Sequence, residues 1–230
     1  MLTAAEWEIV ALSLQVSAVA ILFSLPIAYA LAWVLARKRF PGKILLDALV
    51  HLPLVVPPVV TGYVLLLLFG RTGPIGGALE EWFGISLVFR WTGAALAAAV
   101  MALPLMVRAM RLSIEAVDRR YVEAARSLGA NRWQAFLRVT LPLSLPGIAA
   151  GLVLGFARSL GEFGATITFV SNIPGETRTL PLAIYNALQI PGTDVLVARL
   201  AVISVLLSLL ALLASEWLVR RQVGGRGHVL

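Results

Sequence analysis

The chain has 230 residues, 60% of them apolar and 13% charged, with a mean hydropathy of +0.90. A soluble domain of this size cannot hide that much apolar surface, so the solvent that fits is lipid and a water-soluble fold is excluded. The net charge of +7 is therefore read by position rather than as a nucleic-acid footprint, and the absence of cysteine excludes disulfides, thiolate metal sites and cysteine nucleophiles.

The N-terminus, MLTAAEWEIV, carries two glutamates and no basic residue before the first apolar run. A secretory signal needs a positive start and a short apolar core, so this run reads as a true span, about residues 8–36. A basic cluster follows: Arg37, Lys38, Arg39 and Lys43. The second span, about residues 45–69, is interrupted by Pro53, Pro57 and Pro58, which must break or kink it. Irregular backbone survives in a bilayer only where it is buried or lines a cavity, so Thr61, just beyond, is a candidate pathway residue as against a position in an ordinary kinked helix. Asp47 and His51 lie four residues apart near its start and read as interfacial rather than catalytic. A turn-rich segment, GRTGPIGG at Gly70–Gly77, leads to the third span at about residues 91–112.

A polar segment at about residues 115–142 comes next, with seven arginines from Arg108 to Arg138 around it. Its centre is EAARSLGANRWQAFLRVTLP, Glu123–Pro142. Tyr121, Val122, Ala125 and Leu128 recur at helical spacing and leave Arg119, Arg120, Glu123 and Arg126 on wetter positions. Gly129 then ends the helix, since glycine takes left-handed angles at little steric cost. Trp133, Phe136 and Leu137 resume the apolar stripe, and Leu141-Pro142 opens the fourth span at about residues 143–170. Two short helices joined at a glycine, with small Ala124 and Ala125, fit a groove on a partner; a solvated loop that only sets topology is the bland alternative.

In the fourth span, Gly147, Gly151 and Gly155 form a repeated G-x-x-x-G strip, read as packing within one subunit rather than a dimer seam. Arg158 and Glu162 follow, four apart on one helix face, where they pair or face a wet cavity. They read either as an anion-attracting or gating set or as a structural ion pair near the outer boundary. The loop Ser171–Pro181 and a short interfacial or re-entrant helix at Leu182–Ile190 precede the fifth span, about residues 196–219. Arg220, Arg221 and Arg226 follow it, and the tail Gly224–Leu230 reads as disordered. In this reading 14 of the 19 basic residues fall on one side, which the positive-inside rule makes cytoplasmic. Five crossings then place the N-terminus outside and the C-terminus inside. No repeat or linker is visible, so residues 1–230 read as one all-α polytopic membrane domain with a cytoplasmic loop of paired short helices.

The absences are as informative. No G-x-x-x-x-G-K-[ST] loop occurs, and the only Gly-Lys pair, Gly42-Lys43, lacks the upstream glycine and the following hydroxyl residue. No G-x-S-x-G elbow or H-E-x-x-H helix occurs, and His51 and His228 are too few for a metal cluster. The chain therefore carries no catalytic, metal or cofactor site of its own.

The pattern EAA-x3-G-x9-V-x-LP resembles the coupling motif of type I ABC importer permeases, with Val139 where isoleucine is common. That resemblance implies that Glu123, Ala124, Ala125 and Gly129, with Leu141 and Pro142, dock into a cytoplasmic ATPase subunit that binds ATP and Mg. It extends further: FPGKILLDALVHLPL, His51–Gly76, WFGISLVFRWTGAALAAAVMALPLMVRA and Phe156–Tyr185 look like the molybdate branch of that superfamily. The branch implies a homodimeric permease in the bacterial inner membrane, two ATPase subunits and a periplasmic binding protein delivering molybdate or tungstate. A sulfate-type permease and an ion-gradient-driven transporter are the alternatives; the single charge pair and the lack of an inverted repeat count against the latter.

Overall fold

A computed structural model describes residues 3–224, and everything placed in it is helix or connection. Helix α1 spans Ala4–Arg37, starting earlier than its apolar run because Thr3 caps it. The Thr3 hydroxyl accepts from the Glu6 amide at 3.2 Å while the Glu6 carboxylate accepts from the Thr3 amide at 2.6 Å, which closes the first turn reciprocally. At 34 residues it is about 51 Å long, well beyond the hydrocarbon thickness, so its ends stand in the interfaces.

Helices α2 (Lys43–Val55) and α3 (Pro58–Phe69) meet at a bend of 115°. The second predicted span is thus two helices rather than one kinked helix. Val56 and Pro57 are extended, since a residue before proline is pushed out of the helical region, and Pro57 and Pro58 follow each other. The segment expected as a loop after α3 folds instead into α4 (Pro74–Phe83), opened by Pro74 at its first position and closed by left-handed Gly84.

Helix α5 (Trp91–Ala116) is the centre of the molecule. Ala94, Ala95, Ala97, Ala98 and Ala102 are fully or nearly fully buried, and their small side chains let neighbouring backbones approach. Its N-terminal end packs with Leu12, Val16 and Ala20 of α1; its other end, Met106 to Ile114, packs with Ala28, Ala32 and Leu35. Helices α1 and α5 therefore run parallel. Arg37 closes this end by donating to the carbonyls of Ile114 and Val117 at 2.8 and 2.9 Å, which carries α5 four residues past its predicted stop.

After α6 (Arg119–Ser127), α7 (Arg132–Ala135) runs through a π-helical turn, Phe136–Thr140, directly into α8 (Leu141–Leu160). The fourth spanning helix thus begins at Arg132, not after Pro142, and Leu141-Pro142 lies inside it. The π turn prepares that: the Leu141 amide bonds to the Phe136 carbonyl, a register shift that accommodates a proline with no amide of its own one residue later. Helix α8 ends at Leu160, and Gly161–Phe163 separate it from α9 (Gly164–Val170), which packs on α3 and α5. The predicted fourth span is broken there, at Gly161 and Gly164. Helix α10 (Leu180–Leu188) stands where a short helix was expected, and α11 (Asp194–Gly224) is the last span. Of the tail expected to be disordered, Gly224–Leu230, Gly224 is instead the last residue of α11, and residues 225–230, with His228, lie outside the described residues.

Among the described residues, four helices are long and apolar enough to span: α1, α5, the continuous helix Arg132–Leu160, and α11. The Glu6–Arg199 pair holds the start of α11 beside the start of α1, and Tyr29–Ser144 holds α8 antiparallel to α1. The chain leaves α1 at one end of the bundle and enters α5 at the other, so the bent pair α2–α3 supplies the fifth crossing.

Candidate functional site

The segment between α5 and α8 is built from its caps. Asp118 accepts from the Arg120 amide at 2.9 Å and starts α6. The helix ends at Gly129, whose φ of +89° is left-handed. There the Ala130 amide donates to the Ala125 carbonyl at 3.1 Å and the Gly129 amide to the Arg126 carbonyl at 3.0 Å, the bond pair of a glycine-closed helix end. Asn131 immediately caps α7: its side chain accepts from the Gln134 amide at 2.8 Å, and the Gln134 side chain accepts from the Asn131 amide at 3.0 Å. Two helix termini thus sit back to back, with geometry fixed by local bonds.

No residue of α6 is buried. Glu123 and Ala124 are exposed, Ala125 is half-buried, and Tyr121 and Leu128 of the apolar stripe are 62% and 89% exposed. The apolar stripe of this segment is thus left uncovered beside charged residues. Trp133, 67% exposed, stacks on Phe136 at 5.4 Å. Phe136, on the π turn, meets Tyr29 and Trp33 of α1 edge-on, at 6.1 and 6.3 Å. The Tyr29 hydroxyl reaches Ser144 of α8 at 2.8 Å. The exposed element is therefore joined rigidly to α8 and, by aromatic contact, to α1.

Gly147, Gly151 and Gly155 face α5 within the chain. A Cβ on Gly147 would stand 2.2 Å from Ser113 Cβ, one on Gly151 3.0 Å from Met110 Cε, and one on Gly155 2.7 Å from Met106 Cγ. At the other end of α8, an Arg158 guanidinium nitrogen lies 2.7 Å from Glu162 Oε2. Glu162 is buried and sits beyond the helix end, not on the same helix face, so the pair straddles the break. Its other oxygen accepts from the Ala165 amide at 2.8 Å. Thr61 is buried on α3 next to Gly62, where an added Cβ would stand 2.5 Å from the Ala165 carbonyl. Gly62 of α3 and Glu162 therefore meet at Ala165 in the first turn of α9, with Thr61 beside Gly62 in the chain and Arg158 held by Glu162.

Sequence reasoning missed two features. Glu6 and Arg199 pair at 3.2 Å across 193 positions, which no local pattern signals. Arg111 is held by both Asp47, at 3.0 Å, and Glu115, at 2.8 Å, so Asp47 and His51 belong to a polar set shared by α2 and α5. No group of His, Cys, Asp or Glu able to hold a metal ion occurs among the described residues.

With this geometry in place, comparison with known proteins is direct. Residues 16–224 match the family model described as binding-protein-dependent transport system inner membrane component. The molybdenum transport system permease protein ModB of Escherichia coli (strain K12) is 60% identical over 227 residues, 98% of this chain and 99% of that protein. Its counterpart in Haemophilus influenzae (strain Rd) is 56% identical over 226 residues, 97% of this chain and 99% of that one. In fold, the chain resembles a bacterial ABC transporter that imports the acidic polysaccharide alginate, with a TM-score of 0.74 at 20% identity over 96% of this chain and 80% of that one.

Proposed function

The chain belongs to the binding-protein-dependent transport system inner membrane component family, and from that premise we propose that it is the membrane-spanning subunit of an ATP-driven molybdate importer. The observation that carries this reading is the face of α6: a capped, water-exposed helix with an uncovered apolar stripe, in a chain with no phosphate-binding loop. A transport subunit without a motor needs such a handle. Glu123, Ala124, Ala125 and Gly129 form the docking contact for a separate ATPase, with Leu141 and Pro142 behind the π turn, and ATP and Mg are held by that partner. The chain is a transport protein and not an enzyme.

The assembly is a homodimer of this chain with two ATPase subunits and a periplasmic binding protein that delivers the oxyanion. The N-terminus is periplasmic and the C-terminus cytoplasmic, because the end of the bundle that carries α6 also carries Arg37, Lys38, Arg39, Lys43 and the arginines of residues 108–138. ATPase closure displaces α6 and α7. Since α7 continues into α8, the displacement reaches Arg158–Glu162 at the far end, where the break before α9 lets the outer segment reorient. In this account Thr61, Arg158 and Glu162 form the outer gate region of the pathway, with the buried Glu162 holding Arg158 back from trapping the anion that must pass.

Molybdate and sulfate are both tetrahedral dianions, and the close relatives favour the first. Vesicles containing the permease with its ATPase and binding protein test this: molybdate accumulates and a tenfold excess of sulfate leaves its uptake unchanged. Sulfate uptake at the higher rate would assign the chain to a sulfate-type permease.

A further inference from the structure

Arg108 is the one arginine of α5 within the bundle that the fold leaves unpaired. It is exposed, and no carboxylate among the described residues contacts it; the two nearby, Asp47 and Glu115, are both taken by Arg111. Arg108 lines an open cleft of about 500 Å³ between α2 and α5, together with Ile44, Asp47, His51, Leu112 and Glu115. A lone guanidinium on a spanning helix is expensive unless an anion or water meets it.

Three observations say what meets it. The first is depth. Helices α1 and α5 run parallel, with Arg37 bonded to Ile114 and Val117, so Arg108 stands level with Tyr29 and within a turn or so of the level of Trp33. Tyr29 and Trp33, both half-buried, stand at that level, and Tyr and Trp concentrate at the headgroup level of a membrane. The second is the wall of the cleft. Ile44 and Leu112 are 87% and 62% exposed, and Leu45 and Leu49 continue the uncovered apolar face of α2, a surface for acyl chains rather than water. The third is His51. Its Nδ1 lies 2.8 Å from the Asp47 carbonyl, which only accepts, so Nδ1 carries the proton. Nδ1 also stands 3.3 Å from the Asp47 carboxylate, which leaves Nε2 as the ring nitrogen without a partner among the described residues, in the cleft that Arg108 lines.

We propose that this cleft binds a phospholipid headgroup, with the phosphate on Arg108 and an N–H or O–H of the headgroup donating to His51 Nε2. Phosphatidylethanolamine and phosphatidylglycerol satisfy both contacts; phosphatidylcholine, which has no such donor, satisfies only the first. Basic clefts between spanning helices at the inner face are a recurrent lipid site. The proposal does not rest on the transported ion and stands or falls separately from it.

The test is native mass spectrometry of the full chain, purified in detergent and exchanged with each of the three lipids in turn. Retained phosphatidylethanolamine or phosphatidylglycerol should exceed phosphatidylcholine several-fold. Arg108→Gln should lower retention of all three about tenfold, the loss expected for one charge-assisted contact, and Arg108→Lys should restore part of it. His51→Phe should keep phosphate binding and lose the preference over phosphatidylcholine. Equal retention by Arg108→Gln at an unchanged elution volume overturns the proposal. So does displacement of the lipid by millimolar inorganic phosphate or molybdate, which would make the cleft a site for free oxyanion, or lipid-free protein whose cleft is closed by a second copy.

Discussion

Single residues separate folding from coupling here because the side chains proposed to dock touch so little of their own chain. The Glu123 side chain is exposed, and a Cβ on Gly129 would meet nothing within 4 Å. Glu123→Ala should leave the unfolding midpoint of the purified permease unchanged while weakening capture of the ATPase in a pull-down. Gly129 carries a backbone constraint instead. Its φ of +89° costs most side chains about 1–2 kcal/mol, and asparagine less. Gly129→Asn should therefore retain more coupled transport than Gly129→Leu, with both variants inserted in the membrane; full transport by the leucine variant would count against docking at this turn. The Arg158–Glu162 pair behaves differently because Glu162 is buried. Arg158→Met strands a carboxylate and should destabilise by about 3–5 kcal/mol, whereas Arg158→Met with Glu162→Gln should recover most of that, as read from thermal unfolding in detergent.

At the scale of elements, what was legible follows from which solvent decides. The long apolar runs read correctly because a bilayer forces such runs to satisfy their backbone internally as helix, and the α6–α7 break read correctly because Gly129 is a local device with a fixed residue type, whereas the Asn131 cap was not singled out. The break at Gly161–Phe163 did not, because LGEFGAT contains no proline and its apolar neighbours continue the hydropathy on both sides; the contacts of α9 with α3 decide it. The onset of the fourth spanning helix at Arg132 was hidden for the opposite reason, since Pro142 reads as a helix opener until a π turn takes it in. Among elements, α8 packs on α5 through its glycines. Gly147→Ala puts a Cβ into Ser113 and should cost roughly 1–3 kcal/mol of overpacking, lowering the unfolding midpoint. Gly161→Ala, whose nearest neighbour stands at 3.8 Å, should be close to neutral and serves as the control.

For the whole molecule, α1, α8 and the bent pair α2–α3 pack around α5, α11 packs on α8 and α10, and a single continuous helix connects the α6–α7 end to the α8–α9 break at the other. Residue pairs that tie distant parts together, such as Glu6–Arg199 and Gly62–Ala165, needed the fold to become visible, because nothing in either local sequence points to its partner. The central claim is that force enters through α6 from a separate ATPase, and it is tested most directly in sealed vesicles containing the permease, its ATPase and the binding protein. With ATP supplied on the ATPase side and the proton gradient collapsed by an uncoupler, molybdate uptake should continue, and it should vanish when the ATPase is omitted. Uptake that stops with the gradient while ATP remains, or that proceeds with the permease alone, would contradict the account.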